Sequence, residues 1–448
     1  MYRVDAEDLL KYLDAAPTVF QSTAYLAEKL KSAGAIELFP EQPWEVTPGK
    51  LYFTVKSGSQ IAAFRLGRHA PEKRGWRIAA AHHDSPGFRI KPAGTIAAGG
   101  YERLTLEGYG GTILHTWLDR PLGLAGRIYK KEIREDGTAA LKAADICIRK
   151  PLSVIPSAAI HIDREINENA KFSIQNQLCP FFASAGTAQQ PTAADGENTD
   201  RSAFMQCIAE AAGCDAADIL SFELVPFDIS PACFAGYDNS FLSAAGLDDR
   251  AMVHAVFEGL IRSHRQEPFG ENVIIFAYDH EECGSSSDRG AKSNTLQMLL
   301  RRIAEKQGAS EEAQYCALSK SILLSADMAH AAHPSYAAKQ DPNTAVRLNG
   351  GPVLKLSAQQ SYATSARGSA FFKLLCEKNR IPFQEYVSHS DLRGGSTIGP
   401  MLSAQYGVTT VDVGSPMLAM HSARELAGAQ DPYYMIKLFA AFYRDSDC

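Results

Sequence analysis

The sequence has no Cys-x-x-Cys pair. Its nine cysteines, at 147, 179, 207, 214, 233, 283, 316, 376 and 448, are scattered and odd in number. That spacing fits reduced thiols and excludes both a thiolate zinc knuckle and a disulfide framework. There is no uninterrupted apolar run long enough to span a bilayer, so no membrane partner is expected. The opening residues, Met-Tyr-Arg-Val-Asp-Ala-Glu-Asp-Leu-Leu, carry no apolar signal core and no cleavage site, and a cytoplasmic address is expected. Positive charge is not in excess either. Forty-five Lys and Arg stand against 51 Asp and Glu, a net charge of -6 that argues against a nucleic-acid partner. No internal repeat is visible. What remains is a chain of 448 residues, 45% hydrophobic and 21% charged, the size and composition of a globular protein of two domains.

Read in order, residues 6–34 form a helical opening broken by Pro17, and Gly49–Phe64 reads as a hairpin around Ser57-Gly58-Ser59. Arg77–Ala81 is a short apolar strand that leads into His82-His83-Asp84. If the strand continues, His82 and Asp84 share one face and His83 takes the other. From about Lys91 to Pro231 the character changes to short β-like runs, at Thr105–Glu107, Leu122–Tyr129 and Ala158–Ile162, with a small, polar surface loop at Ala183–Thr199 and a helix over Asp200–Gly213. This is a β-rich domain inserted into the first. The boundaries expected are 93–233 for the insertion, with 1–92 and 234–448 forming one discontinuous domain. After the insertion, strand and helix alternate. A helix opens at Leu247-Asp248-Asp249-Arg250, Asn272–Phe276 is a buried strand, and helices follow at Asn294–Glu305, Phe371–Asn379 and Asp431–Arg444. Ser321–Ser325, Val353–Leu356 and Thr409–Val413 read as further strands.

The strand Asn272–Phe276 runs into Ala-Tyr-Asp-His-Glu-Glu-Cys-Gly, residues 277–284. On an extended segment Glu281 and Glu282 point to opposite sides, so one carboxylate could bind a metal and the other move a proton. A solvated Glu-Glu turn is the plain alternative, and an aspartate at the start of the 247–260 helix is also a common cap. The other polar candidates gather in the same way after strands: His82 and Asp84, Asp327 and His421. Open α/β sheets place their sites at the carboxyl ends of strands. Two histidines with three carboxylates suit a pair of divalent ions, Zn²⁺ with Mn²⁺ or Co²⁺ as alternatives, a carboxylate bridging the two. A nearby glutamate could then take a proton from water and give it to a leaving amine. Cys283 as a nucleophile explains this neighbourhood less well than a hard-metal site.

At these residues the chain resembles the aspartyl aminopeptidase family of zinc aminopeptidases. The shared stretches are Ala81-His82-His83-Asp84-Ser85-Pro86, Tyr109-Gly110-Gly111-Thr112, Thr116-Trp117-Leu118-Asp119-Arg120, Leu247-Asp248-Asp249, Asp279-His280-Glu281-Glu282-Cys283-Gly284, Ser325-Ala326-Asp327-Met328-Ala329-His330-Ala331, Gly351-Pro352-Val353-Leu354-Lys355, Ser396-Thr397-Ile398-Gly399-Pro400 and Leu418-Ala419-Met420-His421-Ser422. They span nearly the whole chain in family order. The resemblance implies an α/β fold, a zinc-exopeptidase-like three-layer α/β/α catalytic domain interrupted by a β-rich dimerisation domain. It also implies roles. Asp248 bridges two ions. His82 and Asp327 complete one site, Glu282 and His421 the other. Glu281 is the general base, and Asp84 orients His82. His161 of the inserted domain reaches a neighbouring subunit's active site. Lys355 meets an acidic substrate side chain, with Tyr362 and His330 as further candidates for that pocket. Peptides are the implied substrates, and dimers building a tetrahedral dodecamer the implied assembly.

Four departures from the family wording stand out: His83 between His82 and Asp84, Asp249 where Asn is usual, Asp-His-Glu-Glu-Cys-Gly for Asn-Glu-Glu-Val-Gly, and Asp391-Leu392-Arg393-Gly394-Gly395 before Ser396. None removes an implied ligand, but the strictness of the acidic preference stays open. A related amidohydrolase or deacylase, an aminopeptidase of broader specificity, and a self-assembling protein with a vestigial site are the competing readings.

Overall fold

The computed structural model describes residues 2–184, 202–266, 270–392 and 394–444. They form two compact units, one from Met1–Ser85, Ala232–Met420 and Glu425–Cys448, the other from Pro86–Pro231 and His421–Arg424.

The first unit is built on a nine-stranded sheet. Its order is Ile36–Glu37, Leu51–Lys56, Gln60–Arg65, Asn272–Tyr278, Trp76–His82, Ile322–Ala326, Thr409–Gly414, Val353–Leu356 and Gln384–Val387. The four central strands, from Asn272–Tyr278 to Thr409–Gly414, run parallel to one another. Their sequences are near-continuous apolar runs because helices cover both faces. Ala79, Ala81, Ile275 and Ala277 pack with Met252, Val256 and Phe257 of the helix Leu247–His264 and with Phe439 and Phe442 of the helix Asp431–Phe442. The alternate residues Ile78, Ala80, Ile274 and Phe276 pack with Leu296, Leu299 and Ile303 of Thr295–Lys306 and with Ile398 and Leu402 of Ile398–Tyr406. The period of two thus sorts one sheet into two apolar layers. Helices Leu247–His264 and Asp431–Phe442 approach closely at Gly259, where a Cβ would lie 2.5 Å from the Cβ of Phe439. A smaller sheet in the same unit joins Cys233–Ala235, Phe241–Ala244, Glu425–Gly428, Pro416–Leu418 and Ala329–His330.

The opening helices are Tyr2–Ala15 and Val19–Ser32, separated at Pro17, with Thr18 capping the second. The hairpin turn after Leu51–Lys56 places Ser57 and Gly58 at positive φ, in a three-residue loop that closes at the Lys56–Gln60 pair.

The second unit is β-rich. One three-stranded sheet joins Gly87–Ala98, Tyr101–Tyr109 and Phe181–Ser184, and another joins Ile219–Asp228, Leu122–Ile133 and Ala139–Ser153. The helix Ala203–Ala212 buries Phe204 and Ile208 in their core, beside Phe88, Leu104, Leu124 and Ile128.

Several expectations need correction. Residues 158–162 are not a strand: 160–162 form a turn, and the whole segment is exposed, Ile160 and Ile162 included, with no partner strand among the described residues to pair it. Glu281–Cys283 is a 3₁₀ turn, so the two glutamates are not separated by strand alternation. The helix expected over 371–379 is Ala366–Lys378, beginning at the Ser365 cap. Helices Glu311–Lys320 and Ile398–Tyr406 went unread. The first buries only Ala317, which leaves no apolar stripe, and the second hides Gly399 and Pro400 in its first turn, where proline is tolerated. Of the loop at 183–199, residues 185–199 lie outside the described residues, as does Arg393.

Candidate metal centre

The central parallel strands deliver their polar residues at their carboxyl ends. His82 ends Trp76–His82, Asp279–Glu282 follow Asn272–Tyr278, and Asp327 follows Ile322–Ala326. His82 is 1% exposed. Its Nδ1 lies 3.3 Å from Asp84 Oδ1 and 3.1 Å from the Asp84 carbonyl oxygen. Both partners only accept, so Nδ1 carries the proton and Nε2 presents its lone pair. Nε2 stands 3.7 Å from Asp248 Oδ1 and 4.0 Å from Asp327 Oδ1. Ligand atoms around a tetrahedral zinc, at bonds of about 2.0–2.1 Å, are about 3.3 Å apart. The three side chains therefore fit one small divalent ion with little adjustment.

Asp84 does more than orient His82. Its Oδ1 accepts the backbone N–H of Glu281 at 3.2 Å and its Oδ2 that of Glu282 at 3.1 Å. One buried carboxylate thus fixes the histidine and the turn that bears both glutamates. His280, at φ 61°, lets the chain turn sharply just before them. Ligand-type atoms of His82, Glu281 and Glu282 lie within 4.8 Å of one another, as do those of His82, Asp248, Asp249 and Asp327. Asp248 is itself anchored through its backbone: its N–H donates to Glu425 Oε2 at 3.1 Å and its carbonyl accepts from Ser85 Oγ at 2.6 Å.

The electrostatics match this crowding. Burial, followed by neighbouring carboxylates, raises Glu281 to about 7 and Glu282 to about 10, against the opposing pull of His82. Burial likewise lifts Asp249 and Asp327 above the usual carboxylate range. For His82, burial would disfavour the charged ring, yet Asp249, Asp84 and Glu281 outweigh it and push its pKa well up. A field that favours a proton on an imidazole favours a divalent cation more.

Lys355 is 3% exposed, with Nζ 3.4 Å from Asp327 Oδ2 and 5.4 Å from the centre of the Tyr362 ring. Tyr362, also buried, stands 6.3 Å from Tyr386, whose ring is 6.0 Å from that of His330. Lys355, Tyr362 and Asp327 are therefore brought together, and His330 lies at the exposed end of the aromatic row. His421 belongs to the second unit, where its Nδ1 lies 3.1 Å from the carbonyl oxygen of Gly111. His161 is exposed in the turn of that unit.

His83 turns away into the core. Its Nε2 lies 2.6 Å from the Ser59 carbonyl oxygen, to which it must donate. Burial lowers its pKa and holds the ring neutral, so Nδ1 accepts from Ser22 Oγ at 3.0 Å. Ser22 Oγ in turn receives the Tyr12 hydroxyl at 2.5 Å. Sequence reading missed Glu425 and Ser85 as supports of Asp248. A lone acidic residue opening an apolar strand was the available signal for Glu425.

Among the described residues no helix is long and apolar enough to cross a membrane. The family model described as "Aminopeptidase I zinc metalloprotease (M18)" matches residues 12–443. The "Probable M18 family aminopeptidase 2" of Pseudomonas aeruginosa (strain UCBPP-PA14) is 39% identical over 442 residues, 98% of each chain. Of solved structures, the chain in "Cryo-EM structure of the Ape4 and Nbr1 complex" is 34% identical with a TM-score of 0.93, covering 99% of this chain and 86% of that one. The chain in "Structure of S. cerevesiae mApe1 dodecamer" is 26% identical with a TM-score of 0.85, covering 99% and 97%. The chain, which carries its carboxylates and histidine at the strand ends and is matched over nearly its whole length, thus belongs to the M18 family of zinc aminopeptidases, metal-dependent hydrolases that remove residues from the N-termini of peptides.

Proposed function

We propose that the chain removes acidic residues, Asp or Glu, from peptide N-termini with two divalent ions, most simply zinc. The observation that carries the metal reading is the proton-fixed His82, its Nε2 facing Asp248 and Asp327 at 3.7 and 4.0 Å. His82 and Asp327 would hold one ion and Asp248 would be shared with the second. Glu282 is the nearby donor for that second ion, and His421 is carried as its remaining ligand on the family resemblance alone. When bound, such ions supply Lewis acidity toward the scissile amide and a water nucleophile at neutral pH. Glu281 would take the proton from the attacking water as the new C–O bond forms, then hand it to the amine nitrogen as the C–N bond breaks. Asp84 would keep Glu281 and His82 in register through the bonds described above.

The acidic preference is supported by Lys355. A buried ammonium has three N–H donors, and the pairing with Asp327 leaves capacity for a substrate carboxylate. Tyr362 and His330 would line the same pocket. His161 would act on a neighbouring copy, which makes self-association into dimers and a tetrahedral dodecamer part of the proposal, with 93–233 as the dimerisation domain. A panel of Asp-, Glu-, Ala- and Leu-arylamides, run on wild type and Lys355→Ala with metal analysis, tests the proposal. We expect Asp and Glu to lead, with the Asp/Ala ratio of kcat/KM falling about tenfold or more, about 1.4 kcal/mol, in the variant. An unchanged ratio places the acidic pocket elsewhere. Cleavage of acetylated Asp substrates would point instead to a deacylase.

A further inference from the structure

We infer that Asp249 is a positioning residue of the metal centre: it ties the two strand ends that carry His82 and Asp327 without being a ligand. This rests on the metal reading proposed above. Asp249 is fully buried. Its Oδ2 accepts the backbone N–H of His82 at 3.2 Å, and its Oδ1 accepts that of Met328 at 3.1 Å. Strands Trp76–His82 and Ile322–Ala326 are parallel neighbours, and their registered pairs end at Ser325 and Ala80. Beyond that pair lie the residues that matter, His82 on one chain and Asp327 on the other. The Asp249 carboxylate spans the opening at that point, one oxygen to each strand, and acts as a side-chain rung where the backbone ladder has stopped. Backbone N–H groups buried at this depth require acceptors.

The placement also has an electrostatic side. Asp249 is the third carboxyl group around His82, with Asp248 and Asp327. Both of its oxygens are engaged by the chain, so it contributes field and alignment while the lone pairs of His82, Asp248 and Asp327 remain for the ion. Outer carboxylates and carbonyls that hold ligands in this way typically change metal affinity 10–100-fold when removed.

The test uses the full chain as wild type, Asp249→Asn and Asp249→Ala. The readouts are zinc affinity by competition with a chelator of known strength, the visible spectrum of the cobalt-substituted protein, and circular dichroism. The asparagine keeps one acceptor oxygen and loses the charge; the alanine loses both. We expect affinity to fall about 10–100-fold in Asp249→Ala and less in Asp249→Asn, with the cobalt band position unchanged in Asp249→Asn. Wild-type affinity in folded Asp249→Asn overturns the inference, and that variant carries the test if Asp249→Ala does not fold. A shifted cobalt band also overturns it, because it makes Asp249 a ligand. Failure of the metal reading is distinguishable: wild type itself would then take up no zinc or cobalt.

Discussion

On a helical face of the first unit, Asp5, Asp8 and Glu258 are matched by Lys29, His254 and Arg262; at the strand ends, Asp84, Asp248, Asp249, Asp327, Glu281 and Glu282 surround His82 and Lys355. In the helical group Asp8 Oδ2 lies 2.6 Å from Lys29 Nζ and 2.8 Å from His254 Nε2. Lys29 also pairs with Glu258, and Arg262 pairs with Asp5. Burial would raise Asp8, but His254 and Lys29 outweigh it and hold its carboxyl below the usual range. At the strand ends burial and neighbouring carboxylates act together, and the acids move up. The same side-chain types give opposite shifts because Lys29 and Arg262 pair with all three acids of the helical group, whereas six carboxyl groups at the strand ends share only His82 and Lys355. A balanced group joins helices; an unbalanced one is a place for cations to arrive.

The largest expected effect comes from stripping divalent ions with a chelator. Turnover should vanish, and the apo form should melt lower, because ligands that bind only the native state add about 4 kcal/mol at a thousandfold excess over Kd. Apo and metal-replete protein melting together would break the comparison, since the strand-end acids would then need no ion. Next is Glu281→Gln, which should keep metal content while kcat drops about 10²–10⁴-fold. Near-normal kcat would return Glu281 to the role of a bystander charge. The smallest effect is Asp8→Asn on the helical face. A depressed native pKa supplies stability above the ordinary carboxylate range and loses it as pH falls. Asp8 is partly exposed, so the loss at pH 7 should be under about 1 kcal/mol and should fade on acidification toward and below pH 4. A thermal shift that is constant with pH would show that the pairing contributes nothing there.

Much of the candidate site was legible because its parts follow strands. Apolar runs marked the strands, and His82, Glu281, Glu282 and Asp327 stood just beyond them. The burial of both sheet faces also followed from those runs. What was not legible depends on backbone groups that sequence does not display. The double grip of Asp84 on the N–H groups of Glu281 and Glu282 required a 3₁₀ turn where strand alternation had been expected. Asp249 read as a departure at a helix start, and only the geometry connects it to His82 and Met328. Helix Glu311–Lys320 escaped for a simpler reason: with Ala317 alone buried, it has no period to read.

The hydrogen-bond row from Tyr12 through Ser22 and His83 to Ser59 has one donor order along its length. The helical hairpin at the start of the chain gives no side chain to the group around His82, yet it is bolted through that row to the residue adjoining His82. The strand end that bears His82 is thereby underwritten by segments outside the group formed with Asp248 and Asp327, and a change in the first helix can be felt there without any change in those three side chains.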